Sequence, residues 1–191
     1  MPIVAVLDAN VLYPAPIRDL LLHMAFLSVY QPKWSDTIQE EWTRNLLAKR
    51  SDLKKTSLTN TRKWMETVFP DARAQIDKAS KTTINLPDKD DIHVVETAII
   101  TSANYIITFN LKDFPRKELA KFKIEPIHPD DFVCQMMDEF PDSVLKAFHN
   151  QVSVLTKPSK TTNEVLIALQ KCGLIKTEPK LRSLIQLPSV T

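Results

Sequence analysis

The stretch Ile3-Val-Ala-Val-Leu7-Asp8-Ala-Asn10 decides the fold of this 191-residue chain. Its first five residues form a short, uninterrupted apolar run, which is typical of a strand buried on both faces of a parallel sheet. Asp8 and Asn10 follow at the point where this strand ends. Because ligands of parallel α/β sheets bind beyond the carboxyl ends of the strands, both polar residues are candidate site residues.

Helices and short strands alternate along the rest of the chain. We expect helices near 17–27, from Ser35 or Asp36 onward, on either side of Pro70-Asp71, and from Asp88 onward, with strands near 29–31, 105–109 and 124–127. This alternation predicts an α/β fold with a parallel β-sheet flanked by helices in three layers. Beyond Pro141 the pattern is helical only, and Gly173 is a natural stop after a helix at 163–172. We therefore predict an α/β domain over residues 1–138 and a helical C-terminal extension over residues 139–191.

The composition excludes several classes of protein. A single glycine, Gly173, rules out both the three-glycine dinucleotide-binding fingerprint and the P-loop. Cys134 and Cys172 lie far apart and form no CxxC pair, which is consistent with a reducing compartment. No uncharged run approaches the roughly 20 residues that span a bilayer, and no basic segment precedes the first apolar run. These features predict a cytoplasmic protein without membrane contact.

Acidic residues recur where the predicted strands end and on the helices beside them. At about 100° per residue, Glu41 borders the apolar stripe that begins at Ile38, whereas Glu40 faces water. The same geometry, applied to a helix starting at Asp88, places Asp91 on the apolar face and His93 on the solvent side. A capping role explains Asp88 well. It explains Asp91 less well, because an unpaired carboxylate in a core stripe is costly.

Several acids at one end of a sheet repel each other unless cations neutralise them. Asp8, Glu41 and Asp91 are expected there, and Asp113 follows the strand at 105–109. A ligand set made of oxygen atoms suits Mg²⁺ or Mn²⁺ better than zinc, and the histidines and cysteines lack zinc spacing. Such a site can activate water for attack on a phosphodiester.

Four blocks of the sequence together resemble the PIN-domain ribonucleases, and most of all the VapC-type toxins among them. The blocks are Val-Leu-Asp8-Ala-Asn10, Trp-Ser35-Asp-Thr-Ile-Gln-Glu-Glu41, Leu-Pro-Asp88-Lys-Asp90-Asp91-Ile and Ile-Ile-Thr108-Phe-Asn110-Leu-Lys-Asp113-Phe. The resemblance spans roughly residues 3–133 and implies a PIN-like parallel sheet.

The resemblance also implies roles for individual residues. Asp8, Glu41 and Asp91 would be the three principal acids, and Asp113 would supply the carboxylate that many family members carry at the position of Asn110. The catalytic residues would then be Asp8, Glu41, Asp91 and Asp113, and the metal ligands Asp8, Asp91 and Asp113. The supporting residues would be Asn10, Ser35, Asp88, Thr108 and Asn110.

The function implied is a Mg²⁺- or Mn²⁺-dependent endoribonuclease acting as the toxin of a toxin–antitoxin pair. Its partners would be an RNA substrate, a cognate antitoxin protein and a second copy in a homodimer. Trp34, Trp42 and Trp64 are candidate dimer contacts if exposed, and core residues otherwise. The basic extension would hold RNA phosphates or simply pack on the domain. Two alternatives remain: a catalytically silent PIN-fold module that binds RNA or protein, and, more weakly, an aspartate-based phosphotransfer domain.

Overall fold

A computed structural model describes residues 2–76 and 84–186 of the chain. These residues form two compact units. One unit comprises the chain up to Tyr13 together with Tyr30–Ile127, and the other comprises Pro14–Val29 together with the chain from His128 onward. In chain order the α-helices of the described residues are α1 Ala9–Leu12, α2 Ala15–Phe26, α3 Asp36–Lys49, α4 Lys55–Val68, α5 Ile92–Ile100, α6 Arg116–Leu119, α7 Pro129–Glu139, α8 Pro141–Val154, α9 Thr162–Lys171 and α10 Thr177–Leu184.

The first unit is built on a four-stranded parallel sheet. Its strands are β1 Val4–Leu7, β2 Gln31–Lys33, β3 Tyr105–Ile107 and β4 Glu125–Ile127, in the order β2-β1-β3-β4. Three β1 residues, Ala5–Leu7, are fully buried, as a continuous apolar run predicts for a central strand. Leu7 pairs with Ile107, so β1 and β3 end at the same level. Asp8 and Thr108 therefore leave the sheet side by side.

Helix α3 forms where the sequence predicts it, for identifiable reasons. The Ser35 hydroxyl accepts the backbone N–H of Ile38 at 3.3 Å and caps the first turn. Ile38, Trp42 and Leu46 are buried on one face. The predicted parallel α/β sheet flanked by helices is confirmed, as is the run of helices toward the C-terminus.

Two local predictions are wrong. The second strand lies at Gln31–Lys33 rather than 29–31, because Ser28 at φ 60° and the bond from the Val29 N–H to the Met24 carbonyl still belong to the end of α2. After Pro70 the structure has a 3-10 turn, Pro70–Ala72, and no helix over 73–76. The remainder of the second helix predicted there falls partly on residues 77–83, outside the described residues.

The described part of the second unit is built from the helices α2 and α7–α10, joined by turns. The Asp130 carboxylate of α7 accepts the backbone N–H groups of Lys176 and Thr177, both at 2.8 Å, which fixes the start of α10. Gly173 adopts φ 104° just after α9, as its predicted role as a helix stop requires. The domain boundary predicted between residues 138 and 139 falls in the last turn of α7 and stays a prediction.

The three tryptophans differ in exposure. Trp34 and Trp42 are core residues, at 1% and 0% exposure, whereas Trp64 on α4 is 49% exposed. Of the three tryptophans, Trp64 is thus the one that is exposed enough to remain a candidate dimer contact. Across the part of the chain that the structure describes, no helix combines the length and the apolar character that a membrane crossing needs.

Candidate active site

Asp8 occupies the end of the central strand and is almost entirely buried, at 4% exposure. Its Oδ2 accepts hydrogen bonds from Asn10 Nδ2 at 2.6 Å and from Thr108 Oγ1 at 2.7 Å. Both donors are polar residues that the sequence places just after β1 and β3. The adjacent strand ends therefore hold this carboxylate in one orientation.

Thr108 and Asn10 complete a closed network around Asp8. The Thr108 hydroxyl donates to Asp8 and accepts from Asn10 Nδ2 at 2.9 Å and from the Asn110 N–H at 3.0 Å, so its donor and both lone pairs are used. The Asn10 side-chain oxygen accepts the Phe109 N–H at 3.0 Å. Asn10 and Thr108 thus act as orienting groups for Asp8.

Glu41 projects from α3 toward the same region. It is half-buried, whereas the preceding Glu40 is exposed, as the helical geometry predicts. Glu41 Oε2 lies 3.5 Å from His93 Nε2 of α5. The His93 side chain is 18% exposed, and its Nδ1 is buried without a hydrogen-bond partner in the described residues. Since a buried N–H at Nδ1 would be unpaired, the proton of a neutral His93 ring belongs on Nε2, facing Glu41.

The prediction that His93 faces solvent is wrong, and so is the placement of Asp91 in the core stripe. A 3-10 turn, Lys89–Asp91, precedes α5, which begins at Ile92. The Asp88 carboxylate caps this turn by accepting the Asp90 N–H at 2.9 Å. Asp91 is the last residue of this turn and is half-buried beside the other acids, whereas His93 lies within α5 and faces Glu41 of α3.

Asn110 and Asp113 follow β3 and contact each other. Asn110 Nδ2 donates a hydrogen bond to Asp113 Oδ2, and the Asp113 N–H bonds back to the Asn110 carbonyl at 3.0 Å. Ser35, by contrast, is buried and caps α3, and it is absent from the cavity lining among the described residues.

A cavity of about 550 Å³ brings most of these residues together. Its acidic side is formed by Asp8, Glu41, Asp88 and Asp91, with Asn10 and Asn110 beside them. Among the described residues, no Lys or Arg forms an ion pair with these four acids or with Asp113. The lining also includes residues that no motif of the sequence indicates: Tyr13, Asn45, Ala48 and Lys49. Asn45, Ala48 and Lys49 follow Glu41 by 4, 7 and 8 positions, a spacing that places them on its helix face.

The uncompensated charge is visible in the carboxylate pKa values. Burial raises the pKa of Asp8 from 3.8 to about 6, against the hydrogen bond from Thr108, and Glu41 adds repulsion. The pKa of Asp91 is raised to about 7, first by burial and then by the charges of Asp8, Asp88, Asp113 and Glu41. These four charges act on Asp91 because the acids are close together, as the strand-end pattern predicts.

The donor set fits a hard divalent cation. It consists of oxygen atoms, and the raised pKa values show negative charge that a cation would offset. In residues 2–76 and 84–186, no three His, Cys, Asp or Glu side chains are already close enough to ligate one ion. Mg²⁺ keeps several waters and commonly uses one or two carboxylates, so a preformed three-residue cage is unnecessary.

Comparisons with known proteins place this geometry in a wider context. Residues 4–112 match the family model of the PIN domain, and residues 129–183 match that of the VapC50 C-terminal domain. Over 79 residues the chain is 33% identical to a protein of Mycobacterium tuberculosis named "Putative ribonuclease VapC50". The matched segment covers 41% of this chain and 47% of that protein. The chain therefore spans about half the length of this curated relative. No solved structure matches the chain.

Proposed function

Since the chain belongs to the PIN domain family, whose model covers more than half of it, we propose that it is a metal-dependent endoribonuclease. The observation that carries this proposal is the acidic cavity at the ends of β1 and β3. The pKa values of Asp8 and Asp91 are raised there, first by burial and then by the neighbouring acids, and the carboxylates of the cavity form no ion pair with a lysine or arginine of the described residues. The relative named as a ribonuclease supports RNA as the substrate.

We assign Asp8, Asp91 and Asp113 as the residues that would hold Mg²⁺ or Mn²⁺. Asp8 is oriented by Asn10 and Thr108, and Asp113 by Asn110. When bound, the cation would activate water and neutralise the charge that develops on the phosphodiester. Asp8 is thus fixed by hydrogen bonds and lines the cavity together with Asp91, whereas Asp113 is half-buried near Asp91 and contacts Asn110, which lines the cavity.

Glu41 is assigned a different task. It lines the cavity from α3, on another element than the three proposed ligands, and His93 approaches one of its oxygens at 3.5 Å. A carboxylate so held is placed to accept a proton from the attacking water. His93 then acts as a positioning residue, because its Nε2 limits the orientations of Glu41.

We further propose that the nuclease is the toxin of a toxin–antitoxin pair and that a cognate antitoxin protein covers its site. Two similarities support this: the match of residues 129–183 to the VapC50 C-terminal domain, and the identity to a protein with VapC50 in its name. Growth of a bacterial host that expresses the chain tests the role. Growth arrest by the native chain but not by Asp91→Asn is the expected result, and equal growth would contradict it.

A second candidate function is a PIN-fold module that binds RNA or protein without cleaving it. It is favoured by Asn110, which brings no charge to the end of β3, and by the lack of three preassembled metal ligands in the described residues. Binding of RNA by the native chain without cleavage in any metal would support this candidate.

Cleavage of a mixed RNA panel separates the two functions. Native protein and Asp8→Asn are each assayed with Mg²⁺, with Mn²⁺ and with EDTA. The nuclease proposal predicts metal-dependent cleavage that Asp8→Asn abolishes while the fold persists. Retained cleavage in purified Asp8→Asn, or cleavage in EDTA, would contradict it.

A further inference from the structure

One wall of the acidic cavity carries a cation. Lys49 is the last residue of α3 and lines the same cavity as Asp8, Glu41 and Asp91. Tyr13, one residue beyond α1, lines it as well. Lys49 is exposed, but a lysine on the wall of a cavity that carries several carboxylates is still expected to approach one of them, because opposite charges attract.

Lys49 does not pair in this way. Its Nζ lies 5.5 Å from the centre of the Tyr13 ring, within the range of a cation–π contact. No carboxylate lies within 4.0 Å of Nζ among the described residues, whereas the neighbouring Arg50 bonds Asp52 through two nitrogens, at 2.7 and 2.6 Å. The charge of Arg50 is therefore compensated within the chain, and that of Lys49 is not.

An RNA strand that enters this cavity meets a conflict of charge. The acids that would hold a metal repel every phosphate that the metal does not neutralise. The volume, about 550 Å³, lies within the range of about 300–1,000 Å³ in which proteins hold nucleotide-sized ligands. A phosphate next to the reacting one is stabilised by a separate cation, and within the part of the chain that the structure describes Lys49 is the basic residue that lines this cavity.

We propose that Lys49 binds a backbone phosphate of the RNA strand, and that the Tyr13 ring is a positioning residue that holds the ammonium group away from the acids. The identity of the ligand as RNA rests on the function proposed above. The contact is to a phosphate, so it adds affinity without selecting a base sequence.

The binding experiment uses the full chain carrying Asp8→Asn, so that the RNA stays intact. The probe is a fluorescein-labelled single-stranded RNA of about ten nucleotides, measured by anisotropy in Mg²⁺ over a range of KCl. Lys49→Met is expected to weaken binding about fivefold and to lower the log–log salt slope by about 0.7, the value for one phosphate contact to a single strand. Lys63→Met on α4 removes the same charge from an exposed position outside the cavity and is expected to change neither.

Variants of Tyr13 test the positioning role. Tyr13→Phe keeps the aromatic face and is expected to match the parent protein. Tyr13→Leu removes the face, frees the ammonium group to pair with the acids, and is expected to reproduce the lower salt slope of Lys49→Met. In the native background, Lys49→Met is expected to raise KM for cleavage about fivefold with kcat within about twofold, and Lys49→Arg to restore KM.

The outcomes distinguish this inference from the proposed function. If the salt slope of RNA binding depends on Lys49 but the native chain cleaves no RNA, the phosphate contact is supported and the nuclease proposal is overturned. Metal-dependent cleavage with an unchanged slope and KM in Lys49→Met overturns the phosphate contact alone. A folded Lys49→Met protein that binds as tightly as the parent, or a Tyr13→Phe protein that behaves like Tyr13→Leu, contradicts the roles assigned here.

Discussion

Replacing Asp8 with Asn is expected to stabilise the metal-free protein even as it abolishes cleavage. Asp8 is 4% exposed, and its pKa rises from 3.8 to about 6 on folding, chiefly because burial disfavours the charged form. A rise of about two pKa units corresponds to about 3 kcal/mol of lost stability once the group is ionised in both states. The Asn side chain keeps an oxygen that can accept the bonds from Asn10 and Thr108.

The pH dependence follows from the sign of this shift. Below pH 3.8 Asp8 is protonated in the folded and unfolded states alike, so the native chain and Asp8→Asn have the same stability. Between pH 3.8 and about 6 only the unfolded state ionises, and the cost to the native chain grows with pH. Above pH 6 the free energy of unfolding of Asp8→Asn exceeds that of the native chain by the full difference of about 3 kcal/mol, which corresponds to roughly 6–12 °C in Tm for a chain of this size.

The assay is urea unfolding of the native chain and Asp8→Asn in EDTA from pH 4 to pH 8. Asp90→Asn, an exposed acid outside the cavity lining, is the matched control and should track the native chain. Saturating Mg²⁺ should then stabilise the native chain and leave Asp8→Asn nearly unchanged, because only the former keeps the proposed ligand. An Asp8→Asn protein that is less stable than the native chain at pH 8 in EDTA would refute the reasoning.

Three further predictions concern the support of the site and of the helical unit. Thr108→Val removes the hydroxyl that donates to Asp8 and that accepts from Asn10 and the Asn110 N–H. The variant should lose about 1–3 kcal/mol of unfolding free energy in urea and at least tenfold in kcat, because buried polar groups are left unpaired. Thr108→Ser keeps the hydroxyl and should restore both quantities. Because the pKa of Asp91 is about 7 and a metal needs the ionised form, calorimetry should show Mg²⁺ affinity falling about tenfold from pH 8 to pH 6, and a flat profile would contradict this assignment. Glu178→Gln breaks the buried pair with Arg182, 2.7 Å apart, and should cost about 3 kcal/mol in unfolding. Asp131→Asn in the exposed pair with Lys176 should leave the free energy of unfolding close to that of the native chain.

The strand-end part of the site could be predicted from the sequence because parallel strands share one polarity. The sequence has one apolar run followed by Asp8-Ala-Asn10 and another followed by Thr108. If the two strands are neighbours, these residues are predicted to lie together at one edge of the sheet. The observed pairing of Leu7 with Ile107 puts both ends at one level. Glu41 could also be predicted, because the stripe of α3 is continuous from Ile38 and fixes the helical phase.

The errors have equally local causes. The 3-10 turn Lys89–Asp91 has about 3.0 residues per turn instead of 3.6, so the helical geometry of α5 does not extend to Asp91. His93 lies within α5, and its ring is covered because Glu41 of α3 approaches it, a contact between helices that periodicity does not reveal. Lys49 is not predicted as a site residue because the apolar stripe fixes the phase of α3 but does not indicate which polar residues of that helix line a cavity. The cation–π contact with Tyr13 joins residues 36 positions apart, a pairing that periodicity cannot reveal.

The most direct test of the central claim compares two adjacent carboxylates. Asp91 lines the acidic cavity and Asp90 does not, yet Asp91→Asn and Asp90→Asn make the same chemical change one residue apart. RNA cleavage by both variants and the native chain is measured with Mg²⁺ and with EDTA. Metal-dependent cleavage that Asp90→Asn retains and Asp91→Asn loses is the predicted result. Equal cleavage by the two folded variants would contradict the claim that this cavity is the active site of a metal-dependent nuclease.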